Sequence, residues 1–221
     1  PAMPGLGSIV VRLARMERER PNELAEQILR DIGLSVELLR QAHSAEVQGT
    51  QAAGNAPVLT IRRAIAMIGL DGVRRAATAL RPWPGPLSEA GAAALLRTLR
   101  RVRLAGHVAQ LLGPRGYDPE VVFLIAVLQN IGRLAVQYHF ADDAEQIWQL
   151  MRPVQPVEPD APEQPGLSED GAAYAVLGTD IATLAAVVAR HLGLADEVLH
   201  MIRRLPVDKP VRAPDGDADL L

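Results

Sequence analysis

The chain has 221 residues, a formal net charge of −3, 48% hydrophobic and 22% charged residues, a composition that excludes wholesale disorder and suffices for one large domain or two small ones. It has no cysteine, which excludes disulfides, zinc-thiolate sites and thiol nucleophiles. The longest unbroken apolar run, Val121 to Leu128, is too short to cross a bilayer, and no basic-then-apolar leader opens the chain, so the expectation is a soluble cytoplasmic protein with no membrane partner.

Apolar residues recur at helical spacing almost throughout, and no stretch alternates with period two, so the predicted class is all-α, a multi-helix bundle of two helical subdomains. A first helix carries Leu6, Ile9, Val10, Leu13 and Met16 on one stripe and stops at Pro21. Asn22 is placed as cap of a second helix burying Leu24 and Ile28 and ending near Gly33, and Ser35 as cap of a short third with Val36, Leu38 and Leu39. Residues 43–57 are small, polar and Gly-rich and read as a surface loop. Ile61, Ile65 and Ile68 mark a helix closed by Gly69, and Asp71 starts another through Val73, Ala76, Ala77 and Leu80.

The segment Arg81-Pro82-Trp83-Pro84-Gly85-Pro86 cannot be helical, because proline removes donors and disfavours helical geometry in the preceding residue. We place the boundary between an amino-terminal subdomain, 1–80, and a second subdomain, 88–206, at residues 81–87. Ser88 then caps a long helix with an inner face of Leu95, Leu99, Val102, Ala105, Val108, Ala109 and Leu112, ended by Gly113-Pro114. Asp118 and Pro119 open a helix that is apolar all round to Leu128 and should be the buried centre of this half. Prolines fall at every third position from Pro153 through Pro156, Pro159 and Pro162 to Pro165, the period of polyproline II, which implies a rod reaching about 40 Å. Helices from Thr179 to His191 and from Asp196 to Leu205 follow, and residues 207–221 form an acidic tail.

The five histidines, His43, His107, His139, His191 and His200, form no HExxH, HxH or HxxxH unit, and no Gly-x-Ser-x-Gly elbow is present. His139 with Asp142 and Asp143, and His191 with Asp196, are read as helix-end charges. Thr60 to Leu80 has the outline of a helix-turn-helix with Arg62, Arg63, Arg74 and Arg75, yet the acidic total favours solvated helix faces over DNA contacts. Arg97, Arg100, Arg101 and Arg103 gather on one helix, a guanidinium group able to take phosphate or acidic partners, with pairing to nearby carboxylates as the default.

Several segments in this order resemble the HDOD family, helical bacterial signalling domains related to the HD phosphohydrolases. Residues 1–13 look like its proline-containing entry, and Leu24 to Leu34, LAEQILRDIGL, is similar to its LAEII-x-DP-x-L segment, with Ile32 where a small residue or proline is usual. Ile61 to Val73, IRRAIAMIGLDGV, resembles I-x-x-AI-x-x-LG-x-x-x-V; Ala126 to Leu134, AVLQNIGRL, resembles GLLHDIGRL; Leu177 to Leu194 resembles the LG-x-DHA region. The resemblance covers nearly the whole chain to Pro206.

In catalytic HD relatives a His-Asp pair ligates metal; here those positions are Gln129 and Asn130, the upstream histidine position falls near Arg101, and the later one is Ile181. Neutral amides lack the charge of a carboxylate, and an arginine repels a divalent cation. The resemblance therefore implies a pseudoenzyme with no catalytic, metal or cofactor residues, acting by recognition of a signalling protein or covalently fused regulatory domain, or of a small nucleotide ligand. Candidate contacts are Arg97, Arg100, Arg101 and Arg103, with Trp83 and the rod at Pro156, Pro159 and Pro162. The alternatives are a divergent metal-dependent phosphohydrolase and a helix-turn-helix DNA-binding regulator. Because Pro1 is not an initiator methionine, the expectation is a segment of a longer polypeptide.

Overall fold

A computed structural model describes residues 21–47, 58–113, 115–154, 164–194 and 196–203. The first expected helix, with Leu6 to Met16, and the acidic tail lie outside the described residues. Those described form an all-α fold of ten helices: α1 Pro21–Leu29, α2 Ile32–Val47, α3 Ile61–Ala79, α4 Glu89–Leu112, α5 Pro119–Gln129, α6 Ile131–His139, α7 Ala141–Leu150, α8 Glu169–Leu177, α9 Ile181–His191 and α10 Asp196–Met201.

The amino-terminal helices differ from expectation at their caps. Pro21 is the first residue of α1 rather than a stop, which its fixed φ and missing donor permit. The cap of α2 is Asp31, whose carboxylate accepts from the Leu34 amide at 3.0 Å. Ser35, expected to cap, sits inside α2, where its hydroxyl donates to the Ile28 carbonyl at 3.0 Å and ties α2 back to α1. The expected loop at 43–57 begins late: α2 continues to Val47 because Leu34, Leu38, Leu39 and Ala42 extend one buried stripe. His43 is buried within it, its Nδ1 2.7 Å from the Leu39 carbonyl. Glu37, on the opposite side, keeps a lowered pKa, since hydrogen bonds from Arg40 and Gln41 outweigh the burial that would raise it.

Helix α3 is the expected pair of segments fused across a kink. Thr60 caps it by accepting from Arg63 at 3.2 Å, and Gly69 adopts φ 66°, ψ 176°, a backbone setting that costs a glycine little and a β-carbon much. Ile61, Ala64 and Ile65 before the kink, and Val73, Ala76 and Ala77 after it, all face the core. The segment after α3 is a turn closed by Gly85 donating to Pro82 O at 2.9 Å.

Ser88 caps α4 through the Gly91 amide at 3.1 Å. Leu95, Leu99 and Val102 are buried as expected, but Ala105, Val108 and Leu112 are exposed, and the inward position at this level is Gly106. The Phe123 ring of α5 fills that place: a β-carbon on Gly106 would lie 2.6 Å from it. The last turns of α4 thus outrun the helix that covers its first turns, and their apolar residues stay in solvent. Helix α5 is buried from Val122 to Leu128, capped by Asp118 through Glu120 N at 2.8 Å.

Helices α6, α7 and α8 stand where the sequence places none. Only Asn130 separates α5 from α6, so one periodicity reads through both. Ser168 caps α8 and Asp180, rather than Thr179, caps α9. Val154 and Gln164 exchange both backbone hydrogen bonds, at 2.9 and 3.2 Å, which holds them about 5.5 Å apart. The proline segment therefore returns to its start, and Pro153 to Pro165 do not lie along a straight 40 Å rod; Pro156, Pro159 and Pro162 themselves lie outside the described residues. One main cluster joins Leu24, Ile28, Leu38, Ile61 and Val73 to Leu95, Leu99, Leu124, Ala189 and Val198, and a smaller one joins Val136, Ile147, Ala172, Ala173 and Ile181.

Candidate functional site

The positions that correspond to a metal centre in catalytic relatives meet where α5, α6 and α9 converge. Helix α5 ends at Gln129 because Asn130 leaves helical geometry, with φ −99° and ψ 5°, and α6 starts at once. The Asn130 side-chain amide donates to Ala126 O at 2.8 Å, and its Oδ1 accepts from Arg133. Arg133 in turn makes a two-pronged ion pair with Glu169 at the start of α8. The paired arrangement fixes both groups and matches the planar geometry of guanidinium and carboxylate. Donor and acceptor of the Asn130 side chain are thereby both engaged within the protein.

Ile181 opens α9 and is 2% exposed, packed with Val136 of α6 and Ala172 of α8. Gly132 of α6 presses on the same turn: a β-carbon there would lie 2.5 Å from the Ile181 carbonyl and 3.1 Å from the Ala185 amide. Backbone approaches backbone where a liganding side chain would otherwise need space. Asp180 caps this end of α9, accepting from Thr183 N at 2.7 Å and from its hydroxyl at 2.7 Å, and these bonds hold its pKa below the ordinary 3.8.

This donor set does not fit a divalent metal. It offers an amide already engaged, an aliphatic side chain and a guanidinium neutralising the nearby carboxylate, whereas such ions take carboxylates, imidazoles or open carbonyls. Among the described residues no three His, Asp or Glu side chains converge at a metal-holding distance. His139 and His191 occupy the last turns of α6 and α9, and Asp142, Asp143 and Asp196 the first turns of α7 and α10, where charge complements the helix ends. His107 is exposed and stacks on Phe123 with ring centroids 5.1 Å apart.

Arg101 stands apart from that cluster, on the exposed face of α4 with Arg97 and Arg100; Arg103, half-buried, lies on its flank. The default pairing with carboxylates does not occur: none of the four makes an ion pair among the described residues. Trp83 is half-buried against the main core. Of the helix-turn-helix arginines, Arg62 lies against Glu120 at 3.0 Å and Asp118 at 3.3 Å, and Arg74 pairs with Asp71.

Two groups escaped the sequence reading. Arg133 and Glu169 are 36 positions apart, and no local spacing links them. Glu120, 7% exposed, accepts from the Ile61 amide as well as from Arg62, so a carboxylate at the start of α5 caps α3 across the chain. A charged residue in the first turn of an apolar helix is the only local signal, and it reads as a dipole partner.

The fold and this site define an all-helical domain of HD-like design whose metal positions carry amide and aliphatic groups. The chain belongs to the HDOD domain family, which matches residues 1–205. Among solved structures it is similar to the MmoQ response regulator of Methylococcus capsulatus, in a fragment of residues 20–298, with 20% identity, 99% of this chain and 78% of that one covered, and a TM-score of 0.66. A second structure of that regulator gives 22% identity over 91% of this chain and 76% of that chain, with a TM-score of 0.64. A virulence factor of Campylobacter jejuni matches at 15% identity over 91% and 67% of the respective chains, TM-score 0.58. No curated protein matches the chain. Among the described residues no single helix is long and apolar enough to cross a membrane.

Proposed function

We propose that this HDOD domain is a non-catalytic signalling module that works by surface recognition of a protein partner. The observation that carries the reading is the state of Asn130 and Ile181: the first is hydrogen-bonded to Ala126 and Arg133, the second is buried against α6 and α8. Without a metal to lower the pKa of bound water, the usual source of hydroxide near neutral pH is missing. Recognition has a surface to work with in the exposed arginines of α4. The likeness of the fold to a response regulator supports a place in bacterial signal transduction. The DNA reading has less support, because Arg62 and Arg74 already lie against carboxylates.

The test is metal analysis of the purified chain together with phosphodiester hydrolysis assays in manganese, magnesium and iron(II). The expected result is substoichiometric metal and no turnover above that of the ions alone. Bound metal with turnover that is lost in Asn130→Ala would overturn the reading and restore the phosphohydrolase alternative.

A further inference from the structure

The exposed face of α4 is divided into two chemically different halves. At 100° per residue, Arg97, Arg100, Arg101, Leu104, Val108 and Leu111 fall within one stripe. All are exposed, Leu104 by 64% and Leu111 by 86%. The first half is three guanidiniums without a carboxylate partner among the described residues, and the second half is aliphatic. A matching occupant must be acidic along one half and apolar at the end.

Three occupants can be weighed by charge and length. A second copy paired antiparallel through the same stripe would set Arg97 and Arg100 against Leu111 and Val108 of its mate, leaving the guanidiniums unneutralised. The amphipathic segment with Leu6, Ile9 and Leu13 carries Arg12, Arg15, Arg18 and Arg20 against Glu17 and Glu19, so it has the wrong sign. Residues 215–221, Asp-Gly-Asp-Ala-Asp-Leu-Leu, have both required halves. In an extended chain alternate residues share a face, which puts Asp215, Asp217, Asp219 and Leu221 on one side. From Asp215 to Leu221 the extended span is about 20 Å, and from Arg97 to Leu111 the helix rises about 21 Å.

We infer that residues 215–221 dock in extended form along α4, with the three aspartates over Arg97, Arg100 and Arg101 and the terminal leucines on Leu104, Val108 and Leu111. The joining segment from Arg203 to Asp215 can reach about 40 Å when extended, and Ile202, at its root, belongs to the same core cluster as Leu95 and Leu99. Tethering makes the contact intramolecular, so a weak interaction is populated at a high effective concentration. The segment then acts as an internal competitor for the face that we assign to partner recognition. It rests on that reading only in treating α4 as a binding surface, and turnover assays test the one while the following experiment tests the other.

Because the chain has no cysteine, Ala218→Cys places a nitroxide at a single position, on the side of the extended segment facing away from α4. Amide signals of residues 97–111 are then followed in the full chain. The expected result is a loss of intensity along α4 at low salt. It should be recovered at 1 M salt, where screening shortens the Debye length from ~10 Å at 0.1 M to ~3 Å, and in Arg97→Glu/Arg100→Glu/Arg101→Glu. Unperturbed α4 signals, or a loss that survives charge reversal in a folded variant, would overturn the proposal. So would intensity loss seen only when labelled and isotope-enriched copies are mixed, which assigns the stripe to a second molecule. Shifts of α4 signals on adding phosphatidylserine vesicles, with no effect of the label, would assign it to a lipid surface and overturn the proposal equally.

Discussion

Gly132 and Ile181 show how single residues determine what this site can hold. The backbone of α6 comes so close to the first turn of α9 that a β-carbon would sit 2.5 Å from the Ile181 carbonyl, and a carbonyl within a helix cannot swing aside as a long side chain can. Gly132→Ala gains about 1 kcal/mol of helix propensity, yet overpacking of this kind costs typically ~1–3 kcal/mol. We expect net destabilisation, read as a fall of several degrees in thermal midpoint at about 2–4 °C per kcal/mol for a chain of this size. A midpoint equal to or above that of the parent would mean that the α6–α9 approach is slack. Gln129, Asn130 and Ile181 were legible in the sequence as departures from a family pattern. Their engagement was not, because the Asn130 partner Arg133 is held by Glu169 from another helix.

At the scale of the element, caps predicted from sequence were right where the capping residue stood alone before an apolar run, as with Ser88 and Asp118. They failed where two polar residues competed: Asp31 displaced Ser35, and Asp180 displaced Thr179. In both cases the carboxylate took the cap, where its negative charge also meets the positive end of the helix dipole. Asp180 gives a prediction with a sign. Its carboxyl pKa is lowered on folding by the bonds from Thr183, so its contribution is complete above the ordinary value of 3.8 and is lost as pH falls through the lower folded value. Asp180→Asn should therefore lower the thermal midpoint at pH 6, within the ~0.5–2 kcal/mol range of a lost cap, and the gap from the parent should narrow towards pH 3. A gap independent of pH would assign the effect to shape and not to charge. Helices α6 to α8 were missed for a different reason: each has nine or ten residues, and such short stretches carry little periodicity of their own.

Across the whole molecule, Glu120 joins the two halves of the chain that the proline-rich segment 81–87 divides. It accepts from Ile61 and Arg62 of α3 while starting α5, and its side chain is only 8% exposed, against 52% for Arg62. Removing the carboxylate strands a buried amide, so Glu120→Ala should cost about 2–3 kcal/mol, whereas Arg62→Ala, at a half-exposed partner, should cost under about 1 kcal/mol. Urea unfolding followed by tryptophan fluorescence would measure both. Equal losses for the two variants would place the stabilisation in the exposed pair and not in the trans-chain cap. The sequence by itself determined the class, the family and the absence of metal-ligating residue types at the expected positions, because helical period, motif order and side-chain chemistry are all local properties. Only tertiary structure decided that Asn130 is engaged by Arg133, that Glu120 caps a helix 59 residues away, and that the end of α4 stays uncovered. Each of those depends on which helices meet, and the pattern of buried and exposed positions along one helix does not specify its neighbour.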